Sequence, residues 1–410
     1  MESKIAFYPS IITLGGVLFT FVMFYAESFQ ISAYVVDIIP QLEIKDSDTA
    51  QTLLSTIIGG LISLMVFSFS MVMVVLNQAS SNFSPRLLPG LISNKNHQYV
   101  LGIYLATIIY CILIFISVES GEKENMLPIF SILVAIIFTV WCLGLFIYFI
   151  HSISQSIQVN NIVRTIYTTA CNRLSILLDD KEPNPVQHNN ISWHHFTTES
   201  VGYYAGINKR SFSRIFKDKE DVQLYVTVYK GQFVKPGVEV FKTNVTLTEA
   251  EQKEFTSCLT FTDGEIVEEN YALAFKQLTE IAVKAMSPGI NDPGTAILCI
   301  DYLSLLLRLR MRLTDDPLLE KCGNHMLYNE VVSFKNILSV MLLELRRYCT
   351  EDTALVIKLI HMLQYLMQQP KACPSYHETI KTELAILKAD ALNNITSEND
   401  RNTVRALFTN

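Results

Sequence analysis

Small polar side chains recur at every seventh position of one long segment, which extends for 37 residues without a charge between Asp48 and Arg86. Seven residues are nearly two helical turns, so these side chains form one stripe along a helix. Hydroxyl and amide oxygens can replace part of the hydration shell of an ion, which is the chemistry of a channel lining. We call this stripe the polar seam; with its adjoining positions it comprises Thr56, Gly59, Ser63, Ser70, Asn77, Ser81, Ser84 and Arg86.

The polar seam has two interpretations. In the first, its small and hydroxylated residues let membrane helices approach closely and hydrogen-bond across a tight four-helix interface. In the second, symmetry-related copies of the helix line an aqueous pore. In the first interpretation, Arg86 is an anchor at the level of the lipid headgroups. In the second, the Arg86 side chains of symmetry-related copies form a ring that gates or selects anions. The apolar spans contain no Asp, Glu, Lys or Arg, so a proton-coupled pump with a buried titratable relay is not expected.

A second group of oxygen-bearing residues surrounds the Ser-Pro-Gly-Ile-Asn-Asp-Pro corner at residues 287–293. Carboxylate and amide oxygens are the ligands that hard cations prefer. The same motif also predicts a rigid corner between helices, because Asp292 before Pro293 is typical of an N-cap with proline at the first helical position. The residues that could bind a cation or another polar ligand are Glu280, Asn291, Asp292 and Asp301.

Enzymatic chemistry has no residues to support it. The sequence lacks a Ser-His-Asp order, a nucleophile elbow and a glycine-rich phosphate loop, and its eight histidines show no zinc-binding spacing. We therefore expect no enzymatic activity, no cofactor and no bound metal. The net charge of −7 and the pI near 5.7 argue against a nucleic-acid-binding surface.

The elements that position the polar seam are membrane helices. Four segments are long and apolar enough to cross a bilayer core, which takes about 20 residues. Basic residues such as Lys4, Lys95 and Arg164 avoid the acidic loops after the first and third spans. The positive-inside rule therefore places both termini in the cytoplasm. The predicted spans are residues 5–26, 53–76, 99–118 and 127–150, and the first three-eighths of the chain, residues 1–160, form the predicted four-span transmembrane domain.

The remainder of the chain has the pattern of soluble structure. Helical apolar spacing continues from span four and predicts that this helix extends as an amphipathic helix to about Asp179, within a connecting segment at 161–190 that ends in a proline-containing linker. Alternating residues and turn signals at 191–247 predict a small β domain, whose paired hairpins resemble barrel-sandwich domains. Thr248 and Glu251 form a capping box that opens a helical cytoplasmic domain at 248–410, with one helix predicted at 325–349.

The predicted fold class is therefore an α-helical membrane protein with four transmembrane helices and a cytoplasmic α+β region. In that region, a small β barrel-sandwich-like unit precedes a helical bundle. Two motifs also carry a resemblance: Leu-Asn-Gln-Ala-Ser-Ser-Asn-Phe-Ser-Pro-Arg-Leu-Leu at 76–88, and the corner at 287–293. Together they resemble a family of bacterial predicted membrane proteins catalogued as a domain of unknown function. The resemblance covers nearly the whole chain, implies an inner-membrane protein and supplies no activity.

Two functions are compatible with these observations. We expect an oligomeric ion channel or transport protein of the bacterial inner membrane, lined by the second transmembrane helix. Its partners would be the lipid bilayer, further copies of the chain and a small ion. The alternative is a membrane-anchored cytoplasmic ligand sensor or scaffold without conduction, in which the corner at 287–293 binds a ligand or a protein.

Overall fold

The computed structural model describes residues 7–29, 31–38, 44, 46–82, 95–120, 127–156, 158–179, 192–217, 219, 221–264, 270–322 and 325–408. Within these ranges the chain forms fourteen helices and eight strands. Contacts between residues divide the chain into two compact units, Met1–Gln158 (unit 1) and Val159–Asn410 (unit 2).

Unit 1 is helical. Four of its helices are long and apolar enough to cross a membrane, which confirms the predicted number of candidate spans. Each predicted span lies within a few residues of the helix that forms it, because an unbroken apolar segment of this length has no other stable state in lipid. The helices are α1 (Phe7–Glu27), α2 (Ile31–Ile38), α3 (Ser47–Asn82), α4 (Lys95–Ser120) and α5 (Ile129–Ser156), of which α1, α3, α4 and α5 are the candidate spans.

Glycines allow close packing of α1 on α4. A Cβ added to Gly16 would lie 2.7 Å from the Cβ of Ala106, and one added to Gly102 would lie 2.8 Å from the Cδ1 of Ile12. Small residues let membrane helices gain van der Waals contact between their backbones. A side chain at either glycine would therefore force the two helices apart.

Unit 2 contains two sheets. A five-stranded sheet has the order β1-β5-β3-β8-β7, in which β3 and β8 are parallel and the other neighbours antiparallel. A three-stranded antiparallel sheet has the order β4-β2-β6. Side chains such as Phe212, Phe241 and Leu327 form the apolar core around them. The strands are β1 (His194–Thr197), β2 (Gly202–Ile207), β3 (Gln223–Val226), β4 (Phe233–Val234), β5 (Glu239–Thr243), β6 (Leu259–Thr262), β7 (Leu318–Cys322) and β8 (His325–Asn329).

The sheets include strands from beyond residue 247. Residues 325–329 were expected to begin a helix, and this prediction is wrong, because they form β8. Leu327 is fully buried where β8 lies parallel to β3, opposite Leu224. Pairing with a strand about 100 residues earlier therefore overrides the local helical pattern, as is common for strands whose stability comes from packing. The barrel-sandwich likeness stays a prediction.

In unit 2, helix α10 (Pro293–Arg310) packs against α6 (Val159–Asp179), α9 (Tyr271–Ala285) and α12 (Thr353–Gln368). The capping box of Thr248 and Glu251 is confirmed at the start of α8. The amphipathic extension predicted after span four is α6, which runs from Val159 to Asp179, whereas the helix of span four, α5, ends at Ser156. The helices are α6 (Val159–Asp179), α7 (Lys209–Ile215), α8 (Glu249–Cys258), α9 (Tyr271–Ala285), α10 (Pro293–Arg310), α11 (Phe334–Cys349), α12 (Thr353–Gln368), α13 (Ser375–Asn394) and α14 (Glu398–Ala406).

Candidate functional site

The polar seam lies on the face of α3 that the other helices of unit 1 leave uncovered. Thr56, Gly59, Ser63, Ser70 and Asn77 are all exposed in the protomer. The residues of α3 that pack against α4 and α5 have the same period and precede the seam by two positions. Two residues turn an α-helix by about 200°, so the seam and this buried stripe occupy nearly opposite faces. The buried stripe consists of Leu54, Leu61, Ser68 and Val75.

The described helices of one chain do not use the polar seam as a packing surface. Among the residues that the structure describes, no atom outside the immediate helix lies within 4 Å of a Cβ added to Gly59 or Gly60. Small residues at a tight helix contact would bring a neighbouring backbone close to such a Cβ, as at Gly16. The described helices of the same chain therefore do not supply a packing partner for the seam.

The hydroxyls of the seam donate to their own helix. Thr56 donates to the carbonyl of Thr52 at 2.7 Å, and Ser70 donates to that of Val66 at 2.9 Å. Ser63 donates in the same way to Gly59 at 2.9 Å. Each hydroxyl hydrogen is thus satisfied, and the oxygen keeps lone pairs that can only accept.

Asn77 differs from the hydroxylated residues of the seam. Its amide has two donor hydrogens and an acceptor oxygen, and the side chain is exposed on the protomer. A polar amide that faces hydrocarbon is costly unless it finds a hydrogen-bond partner. Asn77 therefore favours contact with another subunit or with water.

The C-terminal end of the predicted seam is only partly described. Helix α3 continues to Asn82 and so includes Ser81, whose side chain lies outside the described residues. Ser84 and Arg86 lie wholly outside them. An anchoring or gating role for Arg86 accordingly stays a prediction.

The corner at 287–293 joins α9 to α10 through a tight turn. The carbonyl of Ser287 accepts from the amides of Ile290 and Asn291, each at 3.0 Å, and Asn291 has a positive φ of 49°. Asp292 is the N-cap of α10, as predicted: its Oδ1 accepts from the Thr295 amide at 3.0 Å and its Oδ2 from the Thr295 hydroxyl at 2.6 Å. These hydrogen bonds lower the pKa of Asp292. Both carboxylate oxygens of Asp292 thus accept hydrogen bonds from Thr295 in the first turn of α10.

The proposed cation ligands do not form one group around Asp292. Asp301 follows it by nine residues on α10, which places the two about 13 Å apart along the helix axis. Asp301 pairs instead with Lys358 of α12 at 2.5 Å. Glu280 is half-buried on α9, and Asn291 is exposed. Among the described residues, no cluster of three or more His, Cys, Asp and Glu side chains could hold a metal ion.

Sequence reasoning missed a carboxylate that caps the start of α5. Glu27, at the end of α1, accepts through Oε1 from the amide of Ser131 at 2.9 Å and from its hydroxyl at 2.8 Å. Its Oε2 accepts from the hydroxyl of Ser32 at 2.6 Å, and the same hydroxyl accepts from the amide of Phe130 at 2.9 Å. A negative charge at a helix N-terminus is also favoured by the helix dipole. Glu27 therefore holds α1, α2 and α5 together.

Sequence reasoning also missed a cavity of about 420 Å³ in unit 2. One wall is aromatic and consists of Tyr229 together with Tyr203 and Phe233, whose ring centroids lie 5.1 Å apart across β2 and β4. Helices α9 and α11 form the other walls and contribute Lys276 and Glu344. No local sequence pattern indicates the cavity, because it is assembled from four separate elements.

A buried arginine fixes the two helix starts next to the cavity. Arg310, fully buried at the end of α10, pairs with Asp315 and donates to the carbonyl of Val332 at 2.8 Å. Asp315 in turn accepts from the amide of Phe334, the first residue of α11, at 2.9 Å. Tyr271, the first residue of α9, also interacts with the guanidinium of Arg310. Helices α9 and α11 therefore begin side by side.

Comparisons with known proteins bear on these features. The model of a family described as "Predicted membrane protein (DUF2254)" matches residues 2–365. The uncharacterized proteins Mb1321c of Mycobacterium bovis and Rv1290c of Mycobacterium tuberculosis are each 23% identical to the chain over 372 residues, which is 86% of this chain and 70% of theirs. No solved structure matches.

Proposed function

This chain belongs to the DUF2254 family of predicted membrane proteins, and we propose that it forms an oligomeric ion channel or transport protein of a bacterial inner membrane, with both termini in the cytoplasm. Copies of α3 line the path. The observation that carries the proposal is the exposure of the polar seam on the protomer, on the face opposite the buried stripe.

The length of the seam agrees with a path across the membrane. Thr56 and Asn77 are 21 residues apart on α3, which corresponds to about 31 Å along the helix. The hydrocarbon core of a bilayer is about 30 Å thick. Polar groups at successive double turns thus extend through the whole apolar layer instead of clustering at one interface.

Self-association supplies the partner that Asn77 requires. Most soluble and membrane oligomers of identical chains are symmetric, so the same face of α3 recurs around an axis. Asparagine side chains that meet near such an axis can hydrogen-bond to one another or to water. The hydroxyl oxygens of Ser63 and Ser70 then face the axis as acceptors, without a fixed charge.

Flux through proteoliposomes tests the proposal. Wild-type protein is expected to relax an ion gradient, and Ser70→Leu is expected to reduce the flux at least tenfold, because leucine adds bulk and removes an acceptor. Ser70→Thr keeps the hydroxyl and is expected to retain flux. Phe69→Leu is the matched control, since Phe69 is exposed at the same depth but beside the seam. Absence of flux from wild-type vesicles, or equal flux through Ser70→Leu, contradicts conduction along α3.

The alternative function is a membrane-anchored sensor or scaffold without conduction. The cavity between the three-stranded sheet and helices α9 and α11 favours this alternative, because its volume of about 420 Å³ lies within the range of small-molecule sites. A protein that binds a ligand in unit 2 but passes no ions would support the sensor. Thermal stabilisation by ligand and ion flux, measured on the same preparation, distinguish the two functions.

A further inference from the structure

We propose that α2 is an interfacial helix, whose exposed apolar side chains insert among the headgroups and upper acyl chains of a phospholipid bilayer. This role of α2 depends neither on conduction by α3 nor on an oligomer. Three features of unit 1 support it: the depth at which α2 is held, the side chains on its exposed face, and the series of exposed apolar side chains that leads to it from α1.

Hydrogen bonds hold the first turn of α2 at the ends of two candidate spans. The hydroxyl of Ser32, which is buried, donates to Glu27 at the end of α1 at 2.6 Å. The same hydroxyl accepts from the amide of Phe130, at the start of α5, at 2.9 Å. Both α1 and α5 are candidate membrane spans, and spanning helices end where the hydrocarbon core meets the headgroups. The start of α2 therefore lies at the boundary of the bilayer.

The exposed face of α2 is amphipathic. Tyr34 and Ile38 are 69% and 61% exposed and lie one turn apart, so they form an apolar strip along the helix. Ala33 and Asp37 are also exposed and form a second strip, about 100° around the helix from the first. One strip is thus large and apolar, and the other is small or charged. A helix in the membrane interface turns one such strip to the acyl chains and the other to water.

Exposed apolar side chains lead from α1 through the following turn to the apolar strip of α2. Phe21 and Val22 are exposed within the candidate span, and Tyr25 and Phe29 continue the series, with ring centroids 5.0 Å apart. Tyrosine is typical of the membrane–water interface, where its ring contacts lipid and its hydroxyl reaches water. A water-soluble partner has no access to α1 within the bilayer, whereas phospholipid can contact the whole series. Phospholipid is therefore the partner that these side chains fit.

Tryptophans placed on the two strips test the proposal. Trp141→Phe and Trp193→Phe together give a background without tryptophan. In that background, Tyr34→Trp and Ile38→Trp report on the apolar strip, and Ala33→Trp is the matched control on the other strip. The full-length protein is reconstituted in phosphatidylcholine vesicles that carry bromine either near the headgroups or deep in the acyl chains, and iodide on both sides of the membrane is the quencher in water.

We expect bromine near the headgroups to quench Tyr34→Trp and Ile38→Trp at least about twofold more than Ala33→Trp, because only the apolar strip contacts lipid. Iodide is expected to quench Ala33→Trp the most. Deep bromine is expected to quench the apolar strip less than bromine near the headgroups does. All three replaced side chains are exposed, so tryptophan fits at each position without repacking, and circular dichroism establishes that each variant is folded.

Three results would overturn the proposal. Quenching of Tyr34→Trp by iodide but not by brominated lipid places the helix in water. Stronger quenching by deep bromine places it in the apolar core. Protection from both quenchers shows that another part of the chain or a second copy covers the strip. Ion flux is measured separately, so failure of the path along α3 and failure of the interfacial role of α2 are distinguishable.

Discussion

Replacing Glu27 by alanine is expected to destabilise unit 1 through the start of α5. The carboxylate accepts three hydrogen bonds, two from Ser131 and one from Ser32. Ser131 is fully buried and Ser32 is 8% exposed, so water replaces the lost acceptor poorly. Glu27→Ala thus leaves a helix-start amide and two hydroxyls without their acceptor.

The expected loss of stability is about 3 kcal/mol. Removal of a helix N-cap costs about 1 kcal/mol, and a buried hydroxyl left unsatisfied costs a further 1–3 kcal/mol, roughly. For a unit of this size, 1 kcal/mol changes the Tm by about 2–4 °C, so Glu27→Ala is expected to lower it by about 6–12 °C. Glu27→Gln retains an acceptor oxygen without the charge and is expected to cost about 1 kcal/mol.

Tryptophan fluorescence isolates this effect from unit 2. The chain has two tryptophans, and Trp193→Phe leaves Trp141 of α5 as the reporter for unit 1. Thermal unfolding of Glu27→Ala is compared in this background with Asp37→Ala, which removes an exposed carboxylate from the neighbouring α2. A change in Tm no larger than that of Asp37→Ala would refute the capping role.

Three further predictions concern unit 2. Arg310→Met is expected to cost about 3–5 kcal/mol in denaturant unfolding, because it leaves Asp315 without its buried cation, whereas the exposed Arg308→Met is expected to change stability little. Hydrogen bonds from Lys219 and Thr248 lower the pKa of Glu251 to about 2, so near that pH the folded state binds fewer protons than the unfolded state. The ionised Glu251 therefore stabilises the fold above its ordinary pKa, and this contribution is lost as the pH falls toward about 2. Glu251→Gln is expected to flatten that part of the pH profile of Tm, and an unchanged profile contradicts the assignment. Asp292→Ala is expected to cost about 1 kcal/mol and Asp292→Asn less, since asparagine also caps helices; equal losses would argue against the capping geometry.

Hydropathy and capping residues correctly predicted those helices that depend only on residues close together in the sequence. The spans could be predicted because a helix needs about 20 apolar residues to cross a bilayer core. The caps formed by Thr248 and Asp292 could be predicted because a cap depends on neighbouring residues in the sequence and not on how the helix packs. β8 was missed because its stability comes from pairing with β3, which no local pattern records.

The polar seam could be recognised from its period, but its orientation could not. The buried stripe that includes Leu61 and Ser68 repeats with the same period, so periodicity alone does not say which face of α3 is covered. The cap formed by Glu27 and Ser131 joins residues 104 positions apart. The cavity likewise joins Tyr203 to Glu344 through tertiary contact alone. Such sites depend on topology, which a single sequence specifies only indirectly.

The most direct test of the proposed path is the reactivity of cysteines placed along α3. Ser63→Cys, Ser70→Cys and Asn77→Cys are compared, in a background without native cysteines, with Ile62→Cys and Phe69→Cys, which replace exposed neighbours beside the seam. In reconstituted membranes, a small water-soluble thiol reagent is expected to label the three seam positions and to spare the two neighbours. Protection of all three seam positions would contradict a water-filled path along α3.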